Sequence, residues 1–241
     1  MSFSESDLYA PVKDYFTRLG YEVYGEVKDC DVVAVKKDGG QDEIVAVELK
    51  TGFNLKLVYQ LLERATVTPR VYAAIPRPKN MRGKNVRNML RLMKAVGAGL
   101  IVVAIDSPLK TVEVLLAPGE RSGAPARTSS RKKAAVIREI SGRLTDLNTG
   151  GVNNTKINTA YREKCIKLAC VLERHGGMSA AYLRGRFGCG KDTNAVLRTN
   201  IYGWFTREGK GVYSLSEPGS AALFAEAPEL VEFYREFASK N

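Results

Sequence analysis

The chain has 241 residues, 44% hydrophobic and 26% charged, an ordinary globular balance with length enough for two domains. No run approaches the roughly 18 apolar residues of a membrane span, and "MSFSESDLYAP" has no signal-like apolar region, so a cytoplasmic protein without membrane partners is expected. A net charge of +11 points to a polyanionic partner, though the total alone does not separate nucleic acid from a membrane surface.

In chain order, "SESDLYAPVKDYFTRLG" places Leu8, Val12, Tyr15, Phe16 and Leu19 at helical spacing, with Ser4 as N-cap and Gly20 as the stop. Pro11 either kinks this helix or marks the first turn of a shorter one. "CDVVAVKK" and "EIVAVELK" alternate as strands, and the Gly-Gly of "KDGGQDE" reads as a hairpin turn between them. "NLKLVYQLLERA" is helical, "RVYAAIP" a strand, "GKNVRNMLRLMKAVG" a basic amphipathic helix, "GLIVVAI" a buried strand, and "TVEVLLA" one further strand. The order α-β-β-α-β-α-β predicts an α/β domain over 1–118.

Residues 119–130, rich in Gly, Pro, Ser and Arg, read as a linker, and "KKAAVIREISGRL" as a connecting helix before a polar loop, so 119–160 is expected to be a basic connection. From 161 onward the pattern changes. "YREKCIKLACVLERHGG", "SAAYLRGRFG" and "KDTNAVLRTN" read as three helices and "YGWFTREGKGVYSLS" as a hairpin, followed by a helical tail to 241. Three helices and a hairpin are the order of a winged helix-turn-helix. Most of the positive charge lies here. Residues 119–216 hold 18 Lys and Arg against 7 Asp and Glu, and the tail is acidic.

Cys30, Cys165, Cys170 and Cys189 form no CxxC pair and read as free packed thiols. The single histidine, His175, suits a helix C-terminus, so an enzyme built on this chain would work with carboxylates, lysines and a metal.

One strand raises a question of chemistry. Ile44, Ala46, Glu48 and Lys50 share a face by strand alternation, and that face turns from apolar to charged, as if the strand emerged from a core into something wet. Asp31 opens the preceding strand. If the two strands pair, Asp31 and Glu48 lie together and repel unless a cation sits between them; a hard divalent ion suits such oxygens. Lys50 beside it could orient a water or offset charge on a phosphate.

Asp31, sixteen intervening residues and "ELK" at 48–50, inside this α/β order, resemble the PD-(D/E)XK nuclease superfamily. Glu5 matches the acidic residue often found in the superfamily's first helix, and Gln60 the polar residue of the helix after the E-x-K strand; Cys30 stands where a Pro is usual. "ESDLYAPVKDYF", "CDVVAV", "VELKTGFNL" and "YGWF…GVYSL" resemble a bacterial group of PD-(D/E)XK-like phosphodiesterases whose nuclease-like half precedes a winged-helix-like half. The resemblance implies a restriction-endonuclease-like mixed sheet flanked by helices, with a smaller winged-helix domain after it. It also implies a Mg²⁺-dependent phosphodiester hydrolase, with Mn²⁺ as a substitute. Asp31 and Glu48 would bind metal, Lys50 would assist the attacking water, and Glu5 and Gln60 would support the site.

Expected nucleic-acid contacts come from both halves. Residues 70–94 contain eight basic and no acidic residues, including Arg82, Lys84, Arg87 and Arg91, which suit a phosphate-tracking surface. Lys191, Thr193, Asn194 and Arg198 lie on the expected recognition helix, and Arg207 and Lys210 flank the wing tip. DNA is the expected partner, with RNA a weaker option. The rival reading is a DNA-binding regulator that keeps the nuclease fold as a scaffold. No residue identifies the physiological substrate or whether a homodimer forms to cut both strands.

Overall fold

The computed structural model describes residues 3–37, 42–119, 128–143, 148–151, 158–225 and 228–241. The chain divides into two compact units, one of Met1–Ser141 with Asp146–Ile157, the other of Gly142–Thr145 with Asn158–Asn241.

The first unit is built on a six-stranded sheet: β1 (Glu22–Val27), β2 (Cys30–Lys36), β3 (Glu43–Leu49), β4 (Arg70–Pro76), β5 (Gly99–Val103) and β6 (Val112–Leu116), neighbours in that order. Pairs β1–β2, β2–β3 and β5–β6 are antiparallel, whereas β3–β4 and β4–β5 are parallel. The helices are α1 (Tyr9–Arg18), α2 (Leu55–Arg64), α3 (Lys84–Val96) and α4 (Ser130–Gly142). Strand alternation sorts the core into two layers. Val32, Ala34, Val45 and Val47 meet Leu8, Val12 and Phe16 from the α1 side. Val33, Val35, Ile44 and Ala46 meet Leu57 and Leu61 of α2, Met93 of α3 and Val136 of α4. A mixed sheet flanked by helices is the restriction-endonuclease-like arrangement.

Two expectations change in this unit, and one open alternative is decided. The first helix is shorter: Glu5–Leu8 form a 3₁₀ turn, with the Asp7 carboxylate accepting the Ser4 backbone N–H at 2.7 Å, and Pro11 sits in the first turn of α1, where its missing N–H costs nothing. Strand β1 was not expected. Its turn into β2 has Lys28 and Asp29 at φ 47° and 64°, the two left-handed centres of a tight hairpin, without the Gly or Asn that usually marks one. Finally, α4 is no connector, because Val136 is 2% exposed in the core of this unit. The Gly-Gly turn expected between β2 and β3 lies outside the described residues, as does much of 119–130.

The second unit centres on α5 (Ala160–His175), followed by β7 (Met178–Ser179), α6 (Ala180–Phe187), α7 (Thr193–Thr199), β8 (Phe205–Arg207), β9 (Val212–Leu215), α8 (Glu217–Ala225) and α9 (Pro228–Lys240). The small antiparallel sheet runs β7-β9-β8. Thr159 and Ser179 cap α5 and α6 through their side chains. Trp204, Phe205 and Tyr213 are buried in the core. The acidic C-terminal tail is helical, as expected, and it packs. Leu230 and Tyr234 of α9 join the core, the Tyr234 hydroxyl donates to Glu163 at 2.8 Å, and Arg235 grips Glu173 through two nitrogens.

Candidate active site

The β2–β3 register sets Val32 opposite Val47 and Val33 opposite Ala46. One step further along the same register sets Asp31 opposite Glu48, where cross-strand Cβ atoms stand about 5 Å apart. Asp31 Oδ2 accepts the Leu49 backbone N–H at 2.7 Å. Just beyond the strand end, Lys50 Nζ reaches Glu5 Oε2 at 2.8 Å. The fold therefore gathers Asp31, Glu48, Lys50 and Glu5 at one end of the sheet. Gln60 is on α2, and its side-chain oxygen is buried with no hydrogen-bond partner among the described residues, so no such bond ties that oxygen to the group.

Glu48 does not emerge into water. Its side chain is 0% exposed, and the wet end of the strand begins only at Lys50. Its companion is Arg64, whose Nε donates to Glu48 Oε1 at 2.6 Å and whose Nη2 donates to the Asp29 carbonyl in the β1–β2 turn. Sequence reasoning missed Arg64. The signal was present: Leu57, Leu61 and Arg64 fall at helical spacing on the inner face of α2, and a charge on such a face needs a buried partner.

Burial pushes the Glu48 carboxyl up to about 7; the Asp31 charge adds to the rise and Arg64 opposes it. Burial likewise raises Asp31, against the pull of the Leu49 N–H and Lys50. Glu48 Oε2 is buried without a hydrogen-bond partner among the described residues. Such an orphaned carboxylate oxygen beside a second carboxylate fits a hard divalent cation. Among the described residues no cluster of three His, Cys, Asp or Glu could hold an ion. Two carboxylates nonetheless suffice for Mg²⁺, which keeps several of its waters. The four cysteines are buried free thiols, and burial drives Cys30, Cys165 and Cys170 to about 12, which leaves them inert. His175 ends α5, with Nε2 2.8 Å from the Ala238 carbonyl.

Among the basic candidates, Arg82, Lys84, Arg87 and Arg91 are exposed, in α3 and the loop before it, while Val86 and Met93 face inward. That loop follows β4, which runs parallel to β3, so it leaves the sheet at the same end as Glu48. Two of the eight basic residues of 70–94 are engaged by distant carboxylates, Arg70 by Glu43 at 2.6 Å and Arg77 by Glu113 at 3.2 Å. Lys191, Asn194 and Arg198 are exposed at and along α7, and Arg207 and Lys210 at the β8–β9 turn. Thr193 is a correction. It is 2% exposed and its hydroxyl donates to the Gly190 carbonyl at 2.6 Å, so it serves the helix start and cannot read a base.

The mixed sheet and the gathered Asp31, Glu48 and Lys50 define a class of protein, the restriction-endonuclease-like α/β proteins. The chain belongs to the family described as "Putative PD-(D/E)XK phosphodiesterase (DUF2161)", whose model matches residues 101–222. The family is nuclease-like, and its kind of function is the hydrolysis of phosphodiester bonds. The matched stretch begins inside β5 and runs into α8, so Glu5, Asp31, Glu48, Lys50 and Gln60 lie before it. No curated protein and no solved structure matches the chain.

Proposed function

We propose that this protein is a divalent-metal-dependent nuclease acting on DNA, targeted by a winged-helix second unit. The observation that carries the proposal is the buried Oε2 of Glu48, without a hydrogen-bond partner among the described residues, across from Asp31, with Lys50 at the strand end. Asp31 and Glu48 would hold Mg²⁺ or Mn²⁺. The ion would supply Lewis-acid stabilisation of charge developing on the scissile phosphate. Glu5 fixes the Lys50 ammonium through one of its three donors, and the others can orient an attacking water or meet a phosphate oxygen. Arg64 sets the Glu48 carboxylate in one orientation, with Oε1 engaged and Oε2 available. Lys79 and Arg82 of the loop after β4 leave the sheet at the same end and, with Lys84, Arg87 and Arg91 along α3, would track the backbone of the substrate.

The second unit supports targeting through its order, three helices and a hairpin, with exposed Lys191, Asn194 and Arg198 at α7 and Arg207 and Lys210 at the turn. The scaffold reading is favoured by one specific observation, the Arg64–Glu48 pair, which already gives Glu48 a cation. Incubation of the whole chain with duplex DNA, single-stranded DNA and RNA, with and without Mg²⁺ or Mn²⁺, separates the two. Ion-dependent cleavage lost in Glu48→Gln is the expected result. Binding of DNA with no cleavage under any ion would replace the nuclease with the scaffold.

A further inference from the structure

The segment Asn148–Gly151 lies some hundred residues after the candidate site in the chain, yet it packs against the backbone that carries it. A Cβ added to Gly150 would stand 2.2 Å from the Asp31 carbonyl oxygen and 2.8 Å from the Tyr9 ring. A Cβ on Gly151, which has φ +74°, would stand 3.0 Å from the Glu5 Cβ. From the other side, a Cβ on Gly25 would meet the Asn148 carbonyl oxygen at 2.4 Å. The Gly151 N–H donates to Glu26 Oε1 at 2.8 Å, which pins the segment to β1 next to Asp31. Three glycines thus sit where only a missing side chain allows so close an approach; Gly150 and Gly151 fall on Asp31 and Glu5, and Gly25 on the backbone of the segment itself.

We infer that Asn148–Gly151 is a backbone brace that sets the positions of Asp31 and Glu5, with Gly150 and Gly151 as positioning residues of the site. The functional side of this inference rests on the reading of Asp31 as a metal ligand. Asp31 has two anchors that fix its carboxylate: the backbone behind it, pressed by Gly150, and the Leu49 N–H in front. Moving the first swings the carboxylate off the second. The brace also lies inside the stretch matched by the family model, whereas the carboxylates it supports do not.

The test compares Gly150→Ala with Gly52→Ala, the same chemical change at a loop glycine with open space around it. Hydrogen exchange and the NMR shift of the Leu49 amide report directly on the Asp31 anchor, and calorimetry with Mn²⁺ alone reports on the ion site. In Gly150→Ala, with cooperative melting retained, the Leu49 amide should exchange about tenfold faster. Its Mn²⁺ affinity should fall by about 10- to 100-fold, the usual loss when the groups behind a metal ligand are disturbed. Gly52→Ala should match the wild type in both. Should Gly150→Ala fail to fold, Glu26→Ala removes the acceptor of the Gly151 N–H and should move the Leu49 amide in the same direction. A Leu49 amide unmoved in the folded variant overturns the brace. If the wild type binds no Mn²⁺, the metal reading falls, while the Leu49 amide still decides the brace.

Discussion

Arg64 and Asp31 pull the Glu48 proton in opposite directions, and burial settles the contest by lifting its carboxyl to about 7. The folded value lies above the ordinary one of 4.5, so this group's contribution to stability is fully present below pH 4.5 and is lost as pH rises through 7. Asp31, also raised, acts with the same sign. Without added ions the melting temperature should therefore fall between pH 5.5 and pH 8. Millimolar Mg²⁺ or Mn²⁺ should offset the fall at pH 8 and do little at pH 5.5, because a metal ligand must give up its proton. A melting temperature indifferent to ions at pH 8 would mark the carboxylates as a structural cluster. Arg64→Ala removes one partner of a buried pair and should cost about 3 kcal/mol in denaturant unfolding, eased at low pH where Glu48 is protonated. For the same reason Glu48→Gln is a cleaner probe than Glu48→Ala, which would strand the Arg64 guanidinium.

Elements with a strong period were legible, and those set by backbone contact were not. The α2 pattern, the alternation of β2 and β3, and the Asp31–Glu48 juxtaposition follow from side-chain spacing alone. Strand β1 hid because its turn uses Lys28 and Asp29 at positive φ, and because Gly25 inside it answers to Asn148, a neighbour invisible in local sequence. Helix α4 resembled a connector since its buried stripe is short, with Val136 fully inside and Ile137 and Ile140 half-buried beside it. Helix α7 separates its two faces sharply, which gives a prediction. On the proposed DNA-binding reading, Arg198→Ala or Asn194→Ala should relax preference at single base positions by about 1–3 kcal/mol. Arg207→Ala or Lys210→Ala should instead weaken binding evenly across sequences and reduce the log–log salt slope by about 1. Thr193→Ala should lower stability by about 1 kcal/mol and leave base preference alone, since its hydroxyl is spent on the Gly190 carbonyl.

For the whole molecule, the boundary of the first unit decides which pieces can stand alone. A fragment ending near Pro118 lacks α4, whose Val136 fills the layer under β2 and β3, and it also lacks the Asn148–Gly151 segment against Asp31 and Glu5. It should melt without cooperativity or aggregate, whereas residues 1–157 should unfold in one transition, carrying their own core. On the proposed reading, 1–157 should keep weak, unselective, ion-dependent cleavage, because the gathered carboxylates and the basic residues of α3 all lie within it. Residues 158–241, with their own core around α5, should bind duplex DNA and cut nothing. Joining the two raises the effective concentration of the catalytic unit near DNA, so the intact chain should cleave about 100-fold or more faster than an equimolar mixture of the fragments at limiting DNA. Cleavage rates of the chain and the mixture, measured at the same salt, test this directly. Equal rates, or a 158–241 fragment that ignores DNA at low salt, would assign the second unit to protein contact instead.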